Sequence, residues 1–546
     1  MLSGINRNSV SHNSGVKTTN FEFNQAEHKF SISYPGDFIY DCQFYSLERK
    51  TSLTLKNNSN AISQTNYSYD SFGRLDKLTD GDGNLIVDYD YHPLTRQLEK
   101  ETNGDGTKVN YDYDAVGRLQ QVILGEGTSA LTYTYSYDSN GSVTLTDPNG
   151  GTTQQLRNAE GEIGQTIDPL GRSTSYSYDN DGNLSQINGE LGYKASFTYD
   201  DEGNVLTQTD ALNRTLEYTY QADSDRITRF RDARDNDLLY SYDNRGNLSR
   251  ITYEDGTQDK YFYNDKGLMW KSVNRRGQEI RYNYNANNQL KKEIYEDGST
   301  IEYGYDSDNT LVTNISNSDS GDSTRFDFNQ AENKFTIEHN RVSLRNFLHD
   351  YVFDGLGRKS TVTIQDGTNT RTTNYSYDSL GRLDKLTDGD GNLIVDYDYH
   401  PLTGQLARET NGNGTYTTYT YDLAGQLKSL INSQANGTVN SRFDYDYDRL
   451  GRRTEMVTLD GSWKYGYDLT GQLTSAVFTS TNPDIESQNI SYSYDAAGNR
   501  TKTVVNGVTE NYSTNNLNQY QSAGTTTYHS AYTSLAHNLR SYFDTS

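Results

Sequence analysis

The chain has 546 residues, of which only 32% are apolar even with Tyr counted, and 49 basic against 74 acidic side chains leave a net charge of −25. A mean hydropathy of −0.91 and the lack of any apolar run of about 18 residues exclude a membrane-spanning helix and a large aliphatic core. An isoelectric point near 4.7 argues against a nucleic-acid partner, whose phosphates call for clustered Lys and Arg.

In chain order, residues 1–20 form a polar segment with no apolar stretch, so they do not read as a secretory leader. From residue 21 one unit recurs. Its aromatic mark stands at Tyr67, Tyr89, Tyr111 and Tyr135, and then, at intervals of 21 or 22 residues from Tyr176 onward, at Tyr176, Phe197, Tyr218, Tyr240, Tyr261, Tyr282 and Tyr303. It continues at Phe326, Tyr351, Tyr375, Tyr397, Tyr419, Tyr445, Tyr465 and Tyr492, with degenerate units near Phe21, Phe44, Leu156 and Tyr512. About 23 units fill 21–520 without a linker, so the chain is one array and not the three or four domains its length suggests. Residues 521–546 form a polar, Thr-rich tail, with a short helix expected over 533–540.

The unit reads Tyr-x-Tyr-Asp-x-x-Gly-Arg/Asn-Leu. The repeat-motif residues are Tyr67, Tyr69, Asp70, Gly73 and Arg74 in one copy and Tyr111, Tyr113, Asp114, Gly117 and Arg118 in the next but one. They recur as Tyr240, Tyr242, Asp243 and Gly246, and as Tyr375, Tyr377, Asp378, Gly381 and Arg382. Tyr residues two apart share one face of a strand. Asp opens a turn by capping the backbone two residues on, and Gly accepts positive φ there. Alternation then resumes through Arg74, Leu75, Asp76, Lys77 and Leu78, until a second turn signal such as GDGN at 81–84 or GDGT at 104–107. Two strands and two turns in about 21 residues make one β-hairpin per unit. A lone hairpin is marginal in water, so the units must join. The fold class is therefore all-β: one long antiparallel sheet with Tyr in rows, wound into a spiral or barrel-like shell because long sheets curl.

These residues resemble the Rhs/YD-repeat family, through Tyr-Asp-x-x-Gly-Arg-Leu at a period of 20–24 residues and the variants DPNGG at 147–151 and DPLGR at 168–172. That family includes bacterial Rhs toxins, the C components of insecticidal toxin complexes, wall-associated proteins and teneurins. The resemblance implies a hollow β-shell, secreted or at a bacterial cell surface, that encloses a toxin or serves adhesion. Bacterial members end the shell with a Pro-rich Asp-Pro segment and a variable toxin domain. Here Asp147-Pro148 and Asp168-Pro169 lie early and mid-array, inside ordinary units, and nothing after Tyr492 resembles that segment, so self-cleavage and a toxin payload on this chain are not expected.

The segment 66–107 returns at 374–415 with 37 identities in 42, a lag of 308 residues or 14 units of 22. Recombination explains this. Alternatively, 14 units make one round of the spiral and stack the copies.

Candidate sites are sparse. TDGDGN at 79–84 places Asp80, Asp82 and Asn84 at alternating positions, as in a calcium loop. An EF-hand would need Gly at Leu85 and Glu at Tyr91, so the stretch reads as a hairpin turn, with weak calcium binding as the alternative. His92 and His400 replace the usual turn Asp and read as structural, the other His show no metal spacing, and the single Cys42 has no reactive context. Arg74, Arg118, Arg172, Arg358, Arg382 and Arg452 are expected to pair with a nearby Asp or stack on Tyr. No catalytic residues, metal or cofactor are expected. The function expected is a non-catalytic shell or scaffold; the alternatives are a Tyr-rich module binding carbohydrate or protein, and a glycosidase-type enzyme. Uncapped terminal strands point to a homo-oligomer or filament through sheet edges, or to a separate plug protein.

Overall fold

The computed structural model describes residues 20–527, apart from 25–28, 34–37, 45–48, 58–59, 223, 306–311, 330–331 and 343–345. The helix expected over 533–540 lies outside the described residues, as does nearly all of the polar N-terminal segment. Among the described residues forty-seven strands run from Asn20–Asn24 to Thr526–Thr527, and each pairs antiparallel with its successor in the chain. Among the described residues there is no α-helix, 3-10 turns stand at Gly127–Ser129 and Glu190–Gly192, and no helix is long and apolar enough to cross a membrane. The first and last strands do not pair with each other, so the sheet is an open ribbon and not a closed barrel.

The ribbon is a single layer. In Thr215–Tyr220, as in most Tyr-x-Tyr strands, the two Tyr are half-buried and the residue between them is exposed. No described side chain is fully buried, and the apolar residues under a tenth exposed are few: Val87, Leu131, Ala195, Ile301, Val362, Ala476 and Phe478. The surface totals 32,718 Å². A compact globule of this mass would expose roughly 20,000 Å². The excess is that of a sheet with two accessible faces. Tyr suits this arrangement because its ring can cover a neighbour while its hydroxyl stays hydrogen-bonded at the margin.

Alternation does not simply resume after the Gly-Arg turn. Tyr69 faces Leu75 and Tyr67 faces Leu78, so Asp76 is an extra residue and both Leu lie on the tyrosine face. The same one-residue bulge follows the turns at 114–118, 179–183, 243–247, 378–382 and 495–499, among others. A bulge bends its strand and raises the local right-handed twist. Repeated once per unit on the same edge, it gives the ribbon a consistent curl.

The curl brings the ribbon back on itself. Residues 254 to 286 apart in sequence meet edge to edge: Arg172 with Gln426, Arg214 with Gln472, Arg234 with Asn518, and Asp232 with Asn518. A round is therefore shorter than 308 residues, and the duplicated segments do not stack. Instead the second copy overlies the region near Gly125 and Leu131. The periodicity of the duplication is not that of the spiral, because bulges and turn lengths, not copy number, set the curl.

Candidate functional site

Two constructions carry the architecture: a lock at each turn, and a seam between rounds. In the lock, Asp70 Oδ1 accepts the backbone N–H of Phe72 and of Arg74, both at 2.9 Å, while Asp70 Oδ2 accepts Arg74 Nε at 2.7 Å. Gly73 donates its N–H to the Asp70 carbonyl at 2.9 Å with φ +82°. Asp114, Asp354, Asp378 and Asp448 repeat the pattern with Arg118, Arg358, Arg382 and Arg452. Where Asn replaces Arg, its amide serves the same carboxylate: Asn247 Nδ2 donates to Asp243 Oδ2 at 3.0 Å beside Gly246, φ +85°. Hydrogen bonds from the Arg118 backbone hold the Asp114 carboxyl below its ordinary range, with the Arg118 side chain adding to the effect.

The same Arg reaches the next hairpin. The Arg74 guanidinium lies 4.2 Å from the Tyr91 ring centre, Arg118 4.4 Å from Tyr137, Arg358 4.2 Å from Tyr377 and Arg382 4.2 Å from Tyr399. The second Tyr of many motifs donates its hydroxyl to a carbonyl of the preceding unit: Tyr91 to Leu75 at 2.8 Å, Tyr242 to Ile227 at 2.8 Å, Tyr377 to Lys359 at 2.7 Å. In four copies the first Tyr lies across the strand from an aliphatic residue, Tyr67 opposite Leu78, Tyr111 opposite Val122, Tyr240 opposite Ile251 and Tyr375 opposite Leu386, whereas Tyr89, Tyr282 and Tyr397 lie opposite Glu101, Glu293 and Glu409. At the head of the array, Arg49 stands 5.9 Å from the Tyr69 ring. Tyr113 lies opposite Leu119, and burial raises its phenol pKa.

At the seam, Arg358 is bonded to Asp354 in its own turn and to Asp105 of the adjacent round at 2.9 Å. Arg449 clasps Glu190 at 2.8 and 2.9 Å through Nε and Nη2, and Glu190 also takes the Ser173 N–H at 2.9 Å. These bonds hold the Glu190 carboxyl down to about 2, those from Arg449 contributing most. Arg234 reaches Thr514 Oγ1 at 3.0 Å and the Asn515 carbonyl at 3.2 Å. Between the polar contacts, Leu131 presses on Gly404 and Leu380 on Gly125. None of these cross-round partners is visible as a motif, since each depends on the length of a round.

The sequence-stated alternatives find turn chemistry in their place. Asp80 Oδ1 accepts the Asp82 and Asn84 N–H groups at 3.0 and 2.8 Å, and its Oδ2 takes the Asn84 amide at 2.8 Å. The carboxylate is thus committed to its own turn. His92 Nδ1 accepts the Thr95 N–H at 3.1 Å, and His400 Nδ1 the Thr403 N–H at 3.3 Å. Two other histidines do meet: His339 and His349 lie diagonally on neighbouring strands with ring centres 5.8 Å apart, edge to face, and bond to Thr324 and Tyr351 respectively. Among the described residues no group of three or more His, Cys, Asp or Glu is placed to hold a metal. On the tyrosine face, Glu293 accepts the hydroxyls of Tyr295 and Tyr303 at 2.7 and 3.0 Å.

A teneurin YD-shell model matches residues 12–160, 156–345 and 247–390, and an RHS repeat model matches 402–439. The tRNA nuclease WapA of Bacillus subtilis (strain 168) is 33% identical over 122 residues, covering 20% of this chain and 5% of that protein. The tRNA3(Ser)-specific nuclease WapA of Bacillus spizizenii is 32% identical over 122 residues with the same coverage. The chain thus matches about a twentieth of the length of these relatives. Among solved structures, TcdB2-TccC3 is 14% identical with a TM-score of 0.44, covering 90% of this chain and 34% of that one. The TcdB2-TccC3-TEV structure is 13% identical with a TM-score of 0.41, covering 92% and 37%.

Proposed function

The chain belongs to the teneurin YD-shell family, and on that premise we propose that it is a wall: a non-catalytic scaffold that bounds a space. One observation carries this reading. A single-layer ribbon is sewn to itself edge to edge by Asp105–Arg358, Glu190–Arg449 and their neighbours, so the contacts that hold the rounds together lie within the wall and leave both faces accessible. The lock consumes the Asp, Gly, Arg and Tyr of each motif in holding turns, which supports a structural role for Tyr67, Asp70, Gly73, Arg74 and their counterparts. We place no nuclease or glycosidase chemistry on the described residues.

The first described strand, Asn20–Asn24, pairs only with its successor, and Thr526–Thr527 only with its predecessor, among the described residues. Unpaired strand edges recruit further strands. We infer association there, with another copy, with a separate plug, or with further chain of the same protein, and a secreted or cell-surface setting.

Small-angle scattering and electron microscopy test the wall. The expected result is a hollow particle with a radius of gyration well above the roughly 24 Å of a compact globule of this length. A solid particle near that radius would overturn the reading.

A further inference from the structure

Each strand runs from one rim of the ribbon to the other. One rim carries the turns that follow the Tyr-x-Tyr strands, such as 70–74 and 354–358; the other carries the turns that precede them, such as 104–107 and 210–214. The seam joins following turns of the later round to preceding turns of the earlier one: Arg358 to Asp105, Gln426 to Arg172 and Gln472 to Arg214. Two rims are left over, on opposite sides of the ribbon. They are the following turns of the first round and the preceding turns of the second.

On the first of these rims, three consecutive turns carry the chemistry of the seam without its partner. Arg118 is locked to Asp114 as Arg358 is to Asp354, and it stands over Tyr137 as Arg358 stands over Tyr377. Its side chain is 45% exposed against 24% for Arg358, which has Asp105 of the other round on its far side. The apolar turn tips follow the same rule. Phe72, Leu94 and Val116 are 54%, 86% and 77% exposed, whereas Leu356, Leu380 and Leu450, at the same turn position in the second round, are half-buried. Leu402, the copy of Leu94, falls to 61%. Farther along the open rim the tips are Asn140, Glu160, Asp181 and Glu202, so the apolar patch is confined to three turns. These span roughly 20 Å at the usual strand spacing. Neighbouring apolar tips in solvent mark a contact surface where scattered ones do not.

We propose that turns 70–118 dock onto the open rim at 366–461 of a second copy of this chain, so that copies stack head to tail through a second seam. The contact continues an interface that the molecule already makes with itself. The receiving rim has what that interface uses. Its turns at 366–369, 388–392, 411–415, 434–438 and 458–461 contain no Lys or Arg, while Arg74, Arg96 and Arg118 stand on the docking side. Asp390 is exposed at a turn tip, and its carboxylate has no hydrogen bond or ion pair among the described residues. Gly367 and Gly391 have nothing within 4 Å of a built Cβ, space of the kind that Leu380 fills at Gly125. The two rims are different surfaces, so the contact is heterologous and extends into a filament or closes as a ring. It uses turn edges and not the terminal strands, and it does not depend on whether the ribbon bounds a space.

The test follows the mass of the full chain by light scattering across a dilution series. A mass above 61.7 kDa that falls on dilution is expected. F72S/L94S/V116S should raise the dissociation constant at least about tenfold, about 1.4 kcal/mol. Its circular dichroism should match that of the parent, because all three side chains are exposed. D390K should weaken association as well, more at low salt than at high. E202S, at the same turn position outside the patch, should leave it unchanged. In a C42S chain, a benzophenone attached at V116C should cross-link to 366–461 of a second copy, a readout that does not hinge on how the other variants fold. A monomer at every concentration, indifference to F72S/L94S/V116S or to D390K, or cross-links confined to turns 70–118 or to the terminal strands would overturn the proposal. Such a failure leaves the wall reading standing, since that is decided by the hollow shape of the particle.

Discussion

Leu380 fills the space beside Gly125, in the neighbouring round, that a Cβ on that glycine would need. The equivalent residue of the first copy, Phe72, is 54% exposed and sits under the guanidinium groups of Arg74 and Arg96 at 5.4 and 4.5 Å. The copies 66–107 and 374–415 differ at five positions, and three of these lie at the seam. Arg96 becomes Gly404, where Leu131 Cδ1 stands 2.6 Å from the site of a Cβ. Asp105, which accepts the Thr107 N–H in its own turn and pairs with Arg358 across the seam, becomes Asn413, which keeps the turn bond, to Thr415, without the charge. These three differences fall where the two copies meet different neighbours in the ribbon.

Exchanging the two residues should therefore be asymmetric. L380F overfills the contact with Gly125 and should lower stability by about 1–3 kcal/mol, as overpacking does. F72L, on the open edge, should change stability by less than about 0.5 kcal/mol. Urea denaturation of both variants checks this, and equal effects would mean that the seam is not packed.

Glycine separates strain from packing. Gly106 has φ +87° and nothing within 4 Å of a built Cβ, whereas Gly404 has φ +71° and Leu131 in the way. G106A should lose about 1–2 kcal/mol to the left-handed conformation alone. G404A should lose more. A smaller loss for G404A in the same denaturation series would contradict the seam geometry.

Much of this molecule was legible in its sequence because the unit is local. The Asp, Gly and Arg of a turn and the two Tyr before it interact within one or two hairpins, so period and spacing reveal them. The bulge had a signal too: Leu75 and Leu78 are three apart, a spacing that strict alternation cannot place on one face. The seam had none. Arg358 already has Asp354 four residues earlier, and nothing in the sequence announces that Asp105 will arrive on its other side. The basic stretch 226–292 is hidden by averaging, since a charge of −25 over the whole chain conceals its 14 Lys and Arg against 9 Asp and Glu.

The tyrosine rows should appear in alkaline titration. Burial raises the phenol pKa of Tyr89, Tyr111, Tyr240, Tyr397 and Tyr419 above 10. At Tyr295 and Tyr303 burial and the Glu293 carboxylate push in the same direction. A phenol held above its unfolded value contributes stability that is complete below pH 10 and is lost as pH climbs through the raised value. Tyrosinate absorbance of the native chain should lag that of the urea-unfolded chain, then rise with unfolding. E293Q should bring part of that absorbance to lower pH. Coincident native and unfolded curves would show that the rows are solvated.

The seam should weaken in acid by a route traceable to one residue. Arg449 and the Ser173 N–H hold Glu190 down to about 2 from an ordinary 4.5. A carboxyl depressed in this way contributes stability that is present above pH 4.5 and disappears as pH falls through about 2. E190Q lacks the charge at every pH. The gap in urea midpoint between the parent chain and E190Q should therefore be steady near neutrality, shrink below about pH 4.5 and vanish near pH 2. Other carboxylates titrate in the same range, but they do so in both proteins, so the difference isolates Glu190. Arg449 is more than half exposed, so salt should narrow the gap at pH 7 as well, because exposed charges are screened. Hydrogen exchange adds the location: the amides of Ser173, bonded to the Glu190 carboxylate, and Tyr193, bonded to the Glu190 carbonyl, should lose protection in E190Q, while those around Asp243 and Gly246, away from that contact, should not. A gap that ignores both pH and salt would mean that Glu190 acts through packing alone and that the clasp with Arg449 does not hold the rounds together.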